Sequence, residues 1–304
     1  MLVCCVIPSI LVGMIILLGL TAVFTLIFIL IWYNQQRHRR LLATVPELVQ
    51  TVRSTHLGQE RTIYVYLPPA YKLDDRATYP TLYINDGQDR AALRLRETLA
   101  VLYARREIRP FLVIAIPTNE NRLQEYGTAV SVNAQGLGQQ AAEYGRFVTE
   151  ELIPHIESHF RVQTTANSRA MLGASLGGLS AFDIVWNHPH LFSTVGVFSG
   201  SFWWRAPAAT EAITPNRRIA HEMVRHSHYQ PGFRGWFEAA TRDETSDRDN
   251  DGVIDAIQDT LELIAELEKL GYQRGHSLIY HEVQGGRHDY ATWRKVLPHF
   301  LRFL

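Results

Sequence analysis

Six consecutive residues, Gly173-Ala174-Ser175-Leu176-Gly177-Gly178, match G-x-S-x-G, the pattern of a serine nucleophile carried on a sharp strand-to-helix turn. Such a turn strains the serine and crowds the backbone around it, so its neighbours must be glycine. The apolar stretch Arg169-Ala170-Met171-Leu172 precedes the motif and a helical run from Leu179 to Trp186 follows, the setting this chemistry needs. A serine hydroxyl needs a base to take its proton and an acid to orient that base. In chains of this topology the order is serine, acid, histidine. His288 fits the base, because a strand at Leu278–Val283 and a turn at Gly285-Gly286 come before it and a last helix begins near Trp293. His281 falls inside that strand and His299 inside that helix, without the loop freedom to reach Ser175. The acid should follow the preceding strand, Trp236–Ala239, where Asp243 is the first choice and Glu244 the alternative. The oxyanion of the tetrahedral intermediate would be held by the backbone N–H of Leu176 and by an N–H from an early loop, Asn85-Asp86-Gly87-Gln88. Gly87 would allow that loop its close approach.

A second chemical motif lies just beyond the acid. Asp247-Arg248-Asp249-Asn250-Asp251-Gly252-Val253-Ile254-Asp255 reproduces the EF-hand pattern through its ninth position. Asp247, Asp249 and Asp251 would face one cation, Gly252 would make the turn, and the Val253 carbonyl and Asp255 would complete the set. The twelfth position is Gln258 rather than glutamate, with Asp259 one residue on. The expectation is a lone structural calcium loop over 247–258, weaker than a true EF-hand, that steadies the segment carrying the acid. The competing reading is a solvated acidic loop at the start of the next helix. No cofactor is expected for catalysis itself.

These residues need a scaffold, and the hydropathy pattern supplies one. Strands are expected at Thr51–His56, Thr62–Leu67, Pro80–Ile84, Phe111–Ile116, Ala170–Leu172, Thr194–Phe198, Trp236–Ala239 and Leu278–Val283, and helices at Ala141–His159 and Ala256–Leu270. Strands alternating with helices imply an α/β fold with a mostly parallel central sheet flanked by helices. The first two strands, closely spaced, should form an antiparallel hairpin at one edge. Residues 1–33 read as a transmembrane anchor, because Leu2 to Tyr33 carries no charge and exceeds the roughly 20 apolar residues that cross a bilayer. Residues 34–48 read as a juxtamembrane linker and 49–304 as the catalytic domain. Arg37, Arg39 and Arg40 favour a cytoplasmic catalytic domain, whereas a weak calcium loop favours the extracytoplasmic side, where calcium is millimolar.

Composition excludes several classes. Among the 304 residues, Lys plus Arg and Asp plus Glu both number 30, so no net charge draws the chain to nucleic acid. The two cysteines, Cys4 and Cys5, lie in the apolar run, which removes disulfides, thiolate nucleophiles and cysteine zinc sites from the rest.

With these residues in place, the chain from about Thr51 to its end resembles the putative-esterase family, which includes enterochelin esterases, S-formylglutathione hydrolase and the antigen 85 mycolyltransferases. Besides the serine turn, the resemblance is carried by Gly58-Gln59-Glu60-Arg61, Tyr66-Leu67-Pro68-Pro69, Asp86-Gly87-Gln88, Asn121-Arg122-Leu123-Gln124-Glu125-Tyr126, Glu151-Leu152-Ile153-Pro154, Ser199-Gly200-Ser201-Phe202-Trp203-Trp204 and Gly285-Gly286-Arg287-His288-Asp289. It implies an α/β-hydrolase fold, acyl-enzyme chemistry on a small-molecule ester, and Gln88 as the second oxyanion donor. It also implies that Arg122, Glu125, Trp203 and Trp204 lie near the substrate, although an Arg–Glu ion pair and core tryptophans are equally good structural readings. The expected function is a membrane-anchored serine esterase. The alternatives are an acyltransferase of the same fold and a tethered binding module that has lost its chemistry.

Overall fold

The computed structural model describes residues 6–207 and 218–304. Cys4, Cys5 and the first five residues of the expected anchor lie outside the described residues. The chain divides into two units, Met1–Thr44 and Val45–Leu304.

The described residues of the first unit form one helix, α1 (Val6–Ala43). At 1.5 Å per residue its 38 residues extend about 57 Å. Charged residues begin only at Arg37, so the apolar part alone is long enough to span a hydrocarbon layer. The stretch read as a linker differs from expectation, because residues up to Ala43 continue the helix. Gln, Arg, Leu and Ala dominate there, and all are good helix formers.

In the second unit the elements run β1 (Glu47–Ser54), β2 (Gln59–Tyr66), β3 (Thr81–Asn85), α2 (Leu95–Ala104), β4 (Leu112–Ile116) and a short α3 (Arg122–Glu125). They continue with α4 (Ala141–Arg146), α5 (Ile153–His159), β5 (Arg169–Ala174), α6 (Leu176–Asn187), β6 (Thr194–Phe198) and α7 (Ile219–Arg225). The last four are β7 (Arg234–Arg242), α8 (Asp255–Lys269), β8 (Leu278–Arg287) and α9 (Tyr290–Phe303). The strands form one sheet in the order β1-β2-β4-β3-β5-β6-β7-β8. β1 and β2 make the expected edge hairpin, β2 pairs antiparallel with β4, and every later pair is parallel. All residues of β3, β4 and β6 are buried, as strands covered on both faces must be. Their Val, Ile, Leu and Tyr side chains fill that double-sided core, while α6 packs on β5 and β6 and α8 on β7.

Two local departures matter. The helix expected over Ala141–His159 is interrupted by a π-helical turn at Phe147–Leu152, where the Thr149 hydroxyl donates to the Gly145 carbonyl. Gly285-Gly286 is not a free turn but the tail of β8, whose register against β7 shifts between Ala240 and Arg242. Gly285 takes a positive φ of 69° and donates its N–H to Thr241 Oγ1, while a Cβ on Gly286 would lie 2.7 Å from Val283 and 2.9 Å from Ala240. The bulge delivers His288 directly off the end of the strand.

Candidate active site

Ser175 sits between β5 and α6 at φ 55°, ψ −126°, a conformation that side-chain-bearing residues rarely adopt. The surroundings hold it there: its N–H donates to the Phe198 carbonyl, and its carbonyl accepts from Gly178 and Ser201. The glycines are steric requirements. A Cβ on Gly173 would lie 2.0 Å from the Gly177 carbonyl oxygen, one on Gly177 would lie 2.6 Å from the Asp86 carboxylate, and one on Gly178 would lie 2.8 Å from Val197.

The loop after β3 packs onto this turn. Asn85 donates its amide to the Gly177 carbonyl at 2.8 Å and accepts the Tyr144 hydroxyl at 2.6 Å. Asp86 takes a positive φ of 56° and its N–H donates to the Tyr126 hydroxyl. A Cβ on Gly87 would lie 2.6 Å from the backbone of Ala115 and Ile116, so only glycine lets the loop cross β4 this closely. The side chain of Gln88 accepts the Thr118 N–H and donates to Asp86 and Asp89. Among the described residues, neither the Leu176 nor the Gln88 N–H has a protein acceptor. Leu176 is also the first residue of α6, where such N–H groups are unpaired and the helix dipole is positive.

Asp243 and His288 follow β7 and β8, so all the candidate groups lie at the carboxyl ends of parallel strands. His288 Nδ1 is 3.7 Å from Asp243 Oδ1, and the ring stands edge-on to Trp293. That separation is beyond hydrogen-bond range. Asp243 is almost fully buried, accepting from the Ser199 hydroxyl at 3.0 Å and from the Ala240 N–H at 3.1 Å. Glu244, the alternative acid, is turned to the Ala256 N–H, and burial raises its pKa. Ser175, Asp243, Glu244 and His288 line one cleft of about 300 Å³, with Ser199, Ser201 and Trp203. Ser201 Oγ is 3.5 Å from Ser175 Oγ. A larger hollow of about 640 Å³ lies at the opposite ends of β7 and β8, near Arg234 and Ser277, and contains none of these groups.

Of the four residues implied to contact substrate, the structure brings one to the cleft. Trp203 is 44% exposed on the cleft wall. Trp204 is buried and packs over Gly127 and Gly138. Glu125 is fully buried in an ion pair with Arg61, and a carboxylate so enclosed has no access to a ligand. Arg122 forms a bidentate pair with Asp86, at 2.7 and 2.8 Å, so its guanidinium clamps the loop after β3. The alternative reading of an Arg–Glu ion pair holds for Glu125, but its partner is Arg61, while Arg122 pairs with Asp86. Sequence reasoning missed Ser199 and Glu238, a carboxylate buried in the middle of β7. A lone glutamate in the apolar run Gly-Trp-Phe-Glu-Ala-Ala was the available signal.

The acidic loop is assembled in part. Oxygens of Asp247, Asp249 and Asp251 lie within 4.8 Å of one another. Asp255 instead accepts the Arg248 N–H, Gln258 donates its amide to Asp249, and the Val253 N–H donates to Asp251. Asp259 is buried against Arg218 and Arg248, which withdraws it from the set.

A serine on a strained strand-to-helix turn, with an aspartate and a histidine after two later strands of the parallel sheet, is the arrangement of the α/β-hydrolase fold. The putative-esterase family model matches residues 54–304, and the chain belongs to that family. The Bacillus subtilis protein YbbA is 32% identical over 165 residues, covering 53% of this chain and 65% of that protein. An endo-1,4-beta-xylanase/feruloyl esterase of Xylanibacter ruminicola is 29% identical over 164 residues, 49% of this chain and 21% of that one. The chain thus spans less than two thirds of the length of either. Among solved structures, a ferulic acid esterase superposes with a TM-score of 0.66 at 19% identity, covering 85% of this chain and 97% of that one. The enterochelin esterase of Shigella flexneri gives 0.65 at 21% identity, covering 85% and 57%. These structural likenesses establish the shared fold.

Proposed function

We propose that this protein is a serine carboxylic-ester hydrolase tethered to a membrane by α1. The observation that carries the reading is that Ser175, Asp243 and His288 line one cleft, while the Leu176 and Gln88 N–H groups have no protein acceptor among the described residues. His288 takes the Ser175 proton as Oγ attacks the ester carbonyl, and Asp243 holds the imidazole by its Nδ1 hydrogen. The N–H groups of Leu176 and Gln88 stabilise the oxyanion. The intermediate collapses when His288 returns the proton to the leaving alcohol, and water, deprotonated by the same histidine, releases the acid from Ser175. Trp203 offers an apolar wall for the acyl or alcohol group. Side chains such as Leu18, Phe24 and Phe28 of α1 are exposed, and lipid is the solvent that suits them.

The test is p-nitrophenyl butyrate turnover and fluorophosphonate labelling of the full chain beside Ser175→Ala. Loss of both in the variant supports the reading, and retained turnover refutes it. Recovery of the full chain in the carbonate-washed membrane fraction tests the tether.

A further inference from the structure

Glu238 is fully buried in β7, and none of the steps above uses it. Among the described residues its Oε1 has no hydrogen-bond partner, and its Oε2 lies 3.3 Å from Ser199 Oγ. Ser199 Oγ is also 3.0 Å from Asp243 Oδ1 and accepts the Trp293 indole N–H at 3.0 Å. A serine hydroxyl has one hydrogen to give and two lone pairs with which to accept. The indole fills one lone pair. The single hydrogen can serve only one of the two carboxyl groups, and the other would face a bare oxygen in a buried site. The conflict disappears when one carboxyl carries a proton and donates it to the remaining lone pair. Asp243 is the wrong bearer, because its two oxygens already receive hydrogens from Ser199 and Ala240 and it faces His288.

We propose that Glu238 is a positioning residue that carries a proton in the working enzyme, donates it to Ser199, and so commits the Ser199 hydrogen to Asp243. The resulting chain of hydrogens fixes the Asp243 carboxylate against His288. This inference rests on the reading of Asp243 and His288 as acid and base. Burial, and then the charge of Asp243, push Glu238 up to about 8, which keeps its proton at neutral pH. The other titratable groups around it are Tyr280 and His281 on β8 and Glu244 beyond Asp243, while the facing residues Phe198 of β6 and Trp293 of α9 are uncharged. When Glu238 ionises, two carboxylates compete for the one Ser199 hydrogen, and Asp243 keeps only the Ala240 N–H as an undivided donor.

The experiment is the pH dependence of kcat and KM for p-nitrophenyl butyrate, with the full chain in detergent and Ser175→Ala as blank. Wild type should lose kcat several-fold through an alkaline step near pH 8, with KM unmoved. Glu238→Gln places an amide N–H where the carboxyl O–H was. It should keep kcat within about three-fold at neutral pH and lack the alkaline step. Glu238→Leu supplies no hydrogen and should lose about ten-fold or more in kcat; if it does not fold, the Glu238→Gln profile decides. Infrared spectra at neutral pH should show a protonated-carboxyl carbonyl band that Glu238→Gln removes. An alkaline step that survives in Glu238→Gln, an unchanged infrared band, or a ten-fold loss in that variant at neutral pH overturns the assignment of Glu238 alone. Wild-type rates in Ser175→Ala or Asp243→Asn overturn the reading of the site, and this inference with it.

Discussion

Ser175→Gly should remove turnover and at the same time make the protein more stable, and the size of the gain follows from the backbone. A non-glycine residue held at φ 55°, ψ −126° costs on the order of 1–3 kcal/mol, which glycine does not incur. Against this, glycine widens the unfolded ensemble by about 0.4–1 kcal/mol. The lost hydroxyl contributes little, since its contact with Ser201 Oγ is 3.5 Å, the outer limit of a hydrogen bond. The net gain spans about 0–2.6 kcal/mol and is centred near 1 kcal/mol, which for a unit of this size raises Tm by roughly 2–4 °C. Ser175→Ala is the control: it keeps Cβ and therefore the strain, so it should lose turnover with little change in Tm. The assay is calorimetry of the three proteins in the same detergent, beside p-nitrophenyl butyrate turnover. A glycine variant that melts at or below the alanine variant would refute the reasoning, because the strain would then not be stored at Ser175.

Other consequences are open to direct measurement. Gly87→Ala drives a methyl into the β4 backbone, 2.6 Å away, and should lower kcat about 10²–10³-fold by displacing the oxyanion loop, as read from steady-state kinetics. Arg122→Gln removes the bidentate clamp on Asp86 and should cost about 1–3 kcal/mol of stability in urea titrations, with kcat falling more than KM rises. Asp183, buried in α6 and accepting from the Ala129 N–H and the Asn187 amide, is pushed by burial up to about 7. The folded state therefore binds the extra proton, so this contribution to stability is full below about pH 4 and is lost as pH rises through about 7. Asp183→Asn should flatten that part of the Tm–pH curve, and a slope equal to wild type would show that Asp183 is not its source. Trp203→Ala should raise KM for aryl and long acyl esters while leaving kcat for p-nitrophenyl acetate within about three-fold, since it removes cleft wall and no reacting group.

Much of the architecture was legible because it is local. Each of the eight strands shows as an apolar or alternating run, and the edge hairpin follows from the short gap between β1 and β2. What misled was long-range. Arg122 and Glu125 lie three apart on one helical turn and look like partners, yet Arg122 reaches back 36 residues to Asp86 and Glu125 reaches 64 residues to Arg61. Trp203 and Trp204 are adjacent and chemically alike, and only the packing of the loop after β6 puts one on the cleft and the other in the core. In the acidic loop the spacing placed three carboxylates together, but Arg218 and Arg248 hold Asp259 elsewhere.

By itself the sequence determined the serine turn, because its glycines, its strand and its helix are contiguous and their steric needs are met within a dozen residues. It also determined the chain order of the candidate acid and base, since these follow successive strands. Only the tertiary structure decided that Asp243 rather than Glu244 faces His288, and that Glu238 lies beneath them. Those choices depend on how β6, β7, β8 and α9 bring Ser199 and Trp293 to one point, and a hydrogen-bond inventory exists only where separate segments meet.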